Sequence, residues 1–213
     1  MATYRLSTDK PVYSKVHGVE TRCSVTEPSG FYTMDGFVYN LERGNTLLFL
    51  EGFMFHITIL AVGRLKEKYL ANGAAEYLKR LSAYARVEVV EVNDEGFAES
   101  LSPLELVKVK EREGERLLKR LRQGTFLIAL DLRGKPFSSE EMAEIFGKNA
   151  LEGKGDMTFI IGGALGLSQK VLERADLRIS FSRLTFPHQL MRIILLEQIY
   201  RWFKIHRREP YHY

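Results

Sequence analysis

Cysteine is almost missing from this sequence. Cys23 is the single one among 213 residues, so no disulfide can close within the chain and no cysteine-based zinc site can form. A chain without such staples suits a reducing cytoplasm, which is the expected location. Long hydrophobic runs are missing as well. The longest, Leu47 to Val62, spans 16 residues and is broken by Glu51, Gly52, His56 and Thr58, whereas a membrane span needs about 20 residues with few polar breaks. The opening Met1-Ala2-Thr3-Tyr4-Arg5 leads into no apolar segment and does not read as a signal peptide. Neither sign of charge dominates: 31 Lys and Arg face 27 Asp and Glu, a net charge of +4. That balance permits nucleic-acid binding without requiring it. Hydrophobic residues at 45% and charged residues at 27% are ordinary globular proportions, which excludes collagen-like, disordered and low-complexity classes.

Familiar catalytic signatures are absent too. The five histidines, His17, His56, His188, His206 and His212, show no metal-ligand spacing such as H-E-x-x-H, so no metal is expected. There is no G-x-S-x-G around a nucleophilic serine. The dinucleotide spacing G-x-G-x-x-G and the P-loop Gly-Lys-Ser/Thr are also missing.

What is present changes character near Met54. Residues 1–53 are rich in Thr, Ser, Gly and Tyr, show no sustained period, and carry five Lys or Arg against six Asp or Glu. They read as an atypical N-terminal extension, with Met54 the expected natural start. Residues 54–213 alternate regularly. Ile57–Val62, Val87–Val92, Phe126–Leu130, Met157–Ile161 and Leu177–Ser180 read as strands, the apolar ones as buried. Glu67–Ala83 is amphipathic at helical spacing. Ser102-Pro103-Leu104-Glu105 and Ser138 with Glu141 are capping boxes that open two more helices. Gly134 and Pro136 are expected to make a turn, and Ser168 to cap a short helix. Pro187 begins a final helix to about Lys204. Alternating strands and helices define an α/β domain with a mostly parallel sheet flanked by helices. The final helix has little polar face, so a second copy of the chain, a homodimer, is expected to cover part of it.

Ligands of such sheets bind outside the carboxyl ends of the strands. Three of these ends stand out: Leu130-Asp131-Leu132-Arg133-Gly134, Gly162-Gly163-Ala164-Leu165-Gly166, and Phe181-Ser182-Arg183-Leu184-Thr185-Phe186-Pro187-His188. The glycine run allows close backbone approach, although a tight turn would explain it equally. Asp131 reads either as a base or as a turn residue. His188 and Arg192 are four apart and share a face of the first helical turn. The tail, Lys204 to Tyr213, is basic and aromatic, a composition fit for phosphate and base contacts or for a solvated terminus.

These residues, in this order, resemble the RlmH family of large-subunit ribosomal RNA pseudouridine methyltransferases, of the SPOUT class. The resemblance spans residues 54–213. It runs from Val62-Gly63-Arg64-Leu65-Lys66-Glu67 through Lys110-Glu111-Arg112-Glu113-Gly114 and Phe159 to Ser168, then to Leu184-Thr185-Phe186-Pro187-His188 and Glu209-Pro210-Tyr211-His212. Residues 1–53 match nothing in it. The resemblance implies a SPOUT fold with a C-terminal trefoil knot and S-adenosylmethionine as cofactor. It implies a homodimer, and methylation of pseudouridine N3 on the assembled ribosome. It assigns the cofactor pocket to Leu130, Gly162, Phe181, Ser182, Arg183, Leu184, Thr185 and Phe186. His188, Arg192, Tyr211 and His212 are the expected catalytic group: Arg192 to stabilise an anionic base, a histidine to take the proton, and the tail to complete a partner's site. The competing expectation is a ribosome-binding factor of the same fold without turnover.

Overall fold

A computed structural model of the chain describes residues 55–96, 98 and 100–211 with their side chains, and the backbone of five strands before them. Contacts divide the chain into two units, Met1–Phe53 and Met54–Tyr213. The first holds an antiparallel sheet in sequential order, with β1 Val12–Val16, β2 Val19–Val25, β3 Phe31–Met34, β4 Phe37–Asn40 and β5 Leu47–Phe49.

The second unit runs β6 Phe55–Val62, α1 Lys68–Leu81, β7 Ala85–Val92, α2 Pro103–Arg120, β8 Phe126–Pro136, α3 Ser139–Leu151, β9 Asp156–Ile161, α4 Gln169–Arg174, β10 Leu177–Ser180 and α5 His188–His206. Its five strands form one parallel sheet in the order β10-β8-β9-β6-β7. Central β6 pairs on both sides, with Ile59 opposite both Val89 and Phe159. Both of its faces are covered, which explains why Ile59 to Val62 are apolar without alternation. The two capping boxes form as read: Ser102 accepts from the Glu105 N–H and Ser138 from the Glu141 N–H, with the glutamates reaching back. Ser168 caps α4 by accepting from the Val171 N–H.

Helices α1, α3 and α5 pack on one face of the sheet, and α2 and α4 on the other. Successive strand residues point to opposite faces. Ile160 therefore joins Leu60, Leu117, Leu127 and Val171 under α2 and α4. Its neighbour Phe159 turns to the other side, where Phe146 lies 6.1 Å from it and Trp202 6.0 Å, centroid to centroid. Among the described residues no helix is long and apolar enough to cross a membrane.

One expectation is corrected. Gly134 and Pro136 do not form a turn, because β8 continues through them to Pro136. Lys135 and Pro136 pair with Ile179 and Ser180 of β10 after a register shift. Gly134 is required by close approach: a Cβ there would sit 2.6 Å from the Ile179 carbonyl carbon. The composition of a turn here serves two strands pressed together.

Phe146 is 1% exposed and touches four aromatic rings. Phe146→Ala is expected to destabilise the second unit by about 3–5 kcal/mol, read from urea unfolding.

Candidate active site

Because all five strands of this sheet run the same way, their carboxyl ends share one edge. A cavity of about 440 Å³ opens there, within the size range of small-molecule sites. Its walls come from the middle of β8, the loop after β9, and the loop between β10 and α5. The Gly162–Gly166 loop is folded tightly: the Gly166 N–H donates to the Gly163 carbonyl at 3.0 Å, and Gly166 has φ +82°. A Cβ on Gly162 would lie 2.7 Å from the Gly166 carbonyl carbon. The glycine run is thus both a tight turn and the floor of the cleft.

Of the eight residues expected around a cofactor, Leu130, Gly162, Phe181, Ser182, Leu184, Thr185 and Phe186 line this cavity. Arg183 is exposed and is not among the lining residues. Its neighbours are shaped locally, with the Leu184 N–H donating to Ser182 Oγ at 3.0 Å and Ser180 Oγ donating to the Ser182 carbonyl at 3.0 Å. Leu184 is 69% exposed and Phe186 39%, so the mouth of the cleft is apolar. Asp131 on the β8 wall is bound by Arg178 Nη2 at 2.5 Å, which favours a structural ion pair over a free base.

Three of the four expected catalytic residues, His188, Arg192 and Tyr211, lie among the described residues. His188 lines the cleft and is half-buried. Burial lowers its pKa, Arg192 lowers it further, and Asp94 opposes the shift, so the imidazole stays neutral near pH 7. Arg192 is not among the residues that line the cavity. It is 1% exposed, with Nη2 donating to the Val62 and Gly63 carbonyls, each at 2.7 Å. Its Nη1 pairs with Glu91 at 2.6 Å. The physical reason is that two carbonyls and a carboxylate engage Nη1 and Nη2 inside the protein.

Tyr211 is also away from its own cleft. Its hydroxyl donates to Glu197 Oε1 at 3.2 Å, and its ring stands edge-on to Tyr200 at 5.0 Å. Tyr200 lies twelve residues along α5 from His188, about 18 Å at helical rise. Burial, then the Glu197 charge, push the Tyr211 hydroxyl up to about 12, so it is a phenol and not a phenolate. The tail before it is held by Glu209, which accepts from Tyr84 Oη and Lys204 Nζ, each at 2.6 Å. His212 lies outside the described residues.

Two residues beside the cleft escaped the sequence reading. Lys110 lines it, and Glu113 lies behind Gly163. Both sit on α2 among Lys, Arg and Glu, a composition that ordinarily marks a solvated face. The available signal was Gly114 in a helix interior, a costly placement unless something packs close.

The family described as "Predicted SPOUT methyltransferase" matches residues 55–212. A protein from Pelotomaculum thermopropionicum named "Ribosomal RNA large subunit methyltransferase H" is 72% identical over 160 residues, which are 75% of this chain and 100% of that protein. Proteins of the same name from Carboxydothermus hydrogenoformans and Desulforamulus reducens are 62% and 55% identical, over 73% and 75% of this chain and 98% and 99% of theirs. The chain belongs to the SPOUT methyltransferase family, among the relatives of ribosomal RNA large subunit methyltransferase H.

Two outcomes follow from this geometry. Arg192→Met, which strands the Val62 and Gly63 carbonyls, is expected to cost about 3 kcal/mol of unfolding free energy by urea titration. The His188 imidazole is expected to titrate by NMR below the ordinary histidine value of about 6.5.

Proposed function

We propose that this protein transfers a methyl group from S-adenosylmethionine to N3 of a pseudouridine in large-subunit ribosomal RNA, as a homodimer acting on the assembled ribosome. The observation that carries the reading is the cleft itself, formed where three parallel-strand ends converge on a glycine loop. Membership of the family and the names of the relatives support the methyl-transfer chemistry and the RNA class. An RNA substrate of this kind places the protein in the cytoplasm. The trefoil knot of the family goes with the same reading and accords with the tight approach of β10 to Gly134.

The residues present fit the cofactor. The cavity of about 440 Å³ suits a nucleoside with a short amino-acid arm. Leu130, Leu184 and Phe186 offer an apolar slot for a purine, and Gly162 leaves backbone groups uncovered where a Cβ would intrude. When bound, S-adenosylmethionine supplies a methyl group on a sulfonium sulfur, which departs as a neutral thioether once the methyl has passed to nitrogen.

What this chain must add is position and a place for the N3 proton. His188, neutral and half-buried on the cleft wall, accepts that proton. Arg192 acts through His188 and Gly63: it anchors the turn beside the imidazole, and so is a positioning residue. Tyr211 is packed far along α5 from its own cleft, which supports a role for the tail in a second chain's site. A dimer therefore completes each site with the partner's tail. Half-buried Ile193 and Ile194 and exposed Leu190 on α5 supply apolar surface for such a pairing.

The test is methyl transfer from labelled S-adenosylmethionine to ribosomes that lack the modification. The full chain and a chain starting at Met54 are each expected to transfer label, while absence of transfer by a folded dimer would leave a ribosome-binding factor. Replacing Tyr211 by Phe and His212 by Ala together is expected to lower transfer at least about a hundredfold while cofactor affinity holds.

A further inference from the structure

The back wall of the cleft contains a carboxyl group with an unsatisfied oxygen. Glu113, in the middle of α2, is 4% exposed. Its Oε1 accepts from the Glu95 backbone N–H at 3.0 Å. Its Oε2 is buried and has no hydrogen-bond partner. The carboxyl is aimed at the glycine loop: a Cβ on Gly163 would lie 2.9 Å from Oε2 and 3.2 Å from Oε1. Gly163 lines the cavity, as does Lys110 one turn earlier on the same face of α2. Gly114 presses the helix so close to Ser168 that a Cβ would overlap the serine hydroxyl. Glu113 is therefore held one glycine backbone away from the ligand space.

A buried carboxyl oxygen without a partner is costly, and more so when charged. The surrounding charges do not relieve it. Asp94 and Glu95, from the segment after β7, are acidic and destabilise its anion. Arg116 of α2 favours the anion but is engaged with Glu95 and with the Asn93 carbonyl. Arg112 turns to Glu95 at 3.5 Å. On α5, His188 is itself pushed below the ordinary histidine value, by burial first and then by Arg192. Burial dominates and pushes the Glu113 carboxyl above the usual range. The other carboxylate of the cleft, Asp131, is already paired with Arg178.

We propose that Glu113 is the counter-charge for a cationic centre bound in the cleft, so that the site prefers the sulfonium methyl donor to its neutral thioether product. The inference rests on the cofactor reading above. S-adenosylmethionine and S-adenosylhomocysteine share the adenosine and the amino-acid arm, and differ by a methyl group and one positive charge. A carboxylate behind a thin, dry wall acts on that difference with little screening by salt. Once the methyl has left, the ligand is neutral and the attraction ends, which favours exchange of product for fresh donor. Binding of the cation draws Glu113 to its ionised form and releases a proton. The preference for the cation therefore strengthens as pH rises and weakens as Glu113 is protonated. Glu113 is a specificity-determining residue that acts through the wall and does not touch the reacting atoms.

Calorimetric titration of the full chain with each of the two ligands, from acid to neutral pH, tests the proposal. For the native chain, the ratio of the two affinities is expected to rise about tenfold in favour of S-adenosylmethionine across that range. Glu113→Gln is expected to flatten the ratio, weakening the sulfonium ligand and leaving the thioether unchanged. His188→Gln separates the histidine's own titration, and the rise is expected to persist in it. A Glu113→Gln chain that loses both ligands equally would overturn the proposal and make the residue a packing element. Should that variant fail to fold, a pH-independent ratio in the native chain, or a rise abolished by His188→Gln, overturns it without the variant. A native chain that binds neither ligand would instead remove the cofactor reading, and this inference with it.

Discussion

A buried guanidinium fastens the last helix to the first strand of the parallel sheet, and the geometry of the cleft depends on that fastening. Arg192 reaches from the first turn of α5 to the Val62 and Gly63 carbonyls at the end of β6, and to Glu91 on β7. The cost of removing so large a charge from water is offset by the contacts of Nη1 and Nη2 with a carboxylate and two carbonyls, while Nε is buried without a partner. Gly63, with φ +81°, makes the turn that exposes its carbonyl to this grip. His188, one turn before Arg192, comes to rest beside that same glycine: a Cβ on Gly63 would lie 3.6 Å from its Nε2. The place of the imidazole on the cleft wall is thus set by a residue that does not line the cleft.

Around this anchor the sheet brings together segments far apart in sequence. Parallel order collects the ends of strands separated by dozens of residues at one edge, and the loops there are free to differ chemically. Two glycines then decide how closely the layers meet. Gly134 lets β8 press against β10, and Gly114 lets α2 approach the cap of α4. The second approach carries Glu113 up to the glycine floor. A single helix therefore serves the core on one face and the electrostatics of the cavity on another.

Much of this was legible in the chain itself. The apolar strands and both capping boxes could be read because their signals are local: an unbroken run, or two side chains three residues apart. The cleft loops were legible from a general rule about parallel sheets, and Leu130, Gly162 and the 181–186 segment follow strand ends as that rule requires. Failures occurred where local composition conflicted with tertiary demand. Gly134 and Pro136 have turn chemistry, yet strand pairing with β10 overrides it. His188 and Arg192 share a helical face, but one lines the cavity and the other is drawn inward by carbonyls that no one-dimensional pattern reveals. Glu113 looks like one more charge on a solvated helix until the neighbouring glycine is explained.

The tail shows what such packing accomplishes beyond stability. Lys204 and Tyr84 hold Glu209, and Glu197 holds the Tyr211 hydroxyl, with Arg201 4.9 Å above the tyrosine ring. Chain ends are ordinarily the most disordered part of a domain, and ordering them on contact costs roughly 1–2 kcal/mol of backbone entropy per residue. Here Glu209 and Tyr211 are engaged by side chains of their own chain. Their conformational freedom is surrendered when the protein folds, so little remains to be lost when they meet another surface.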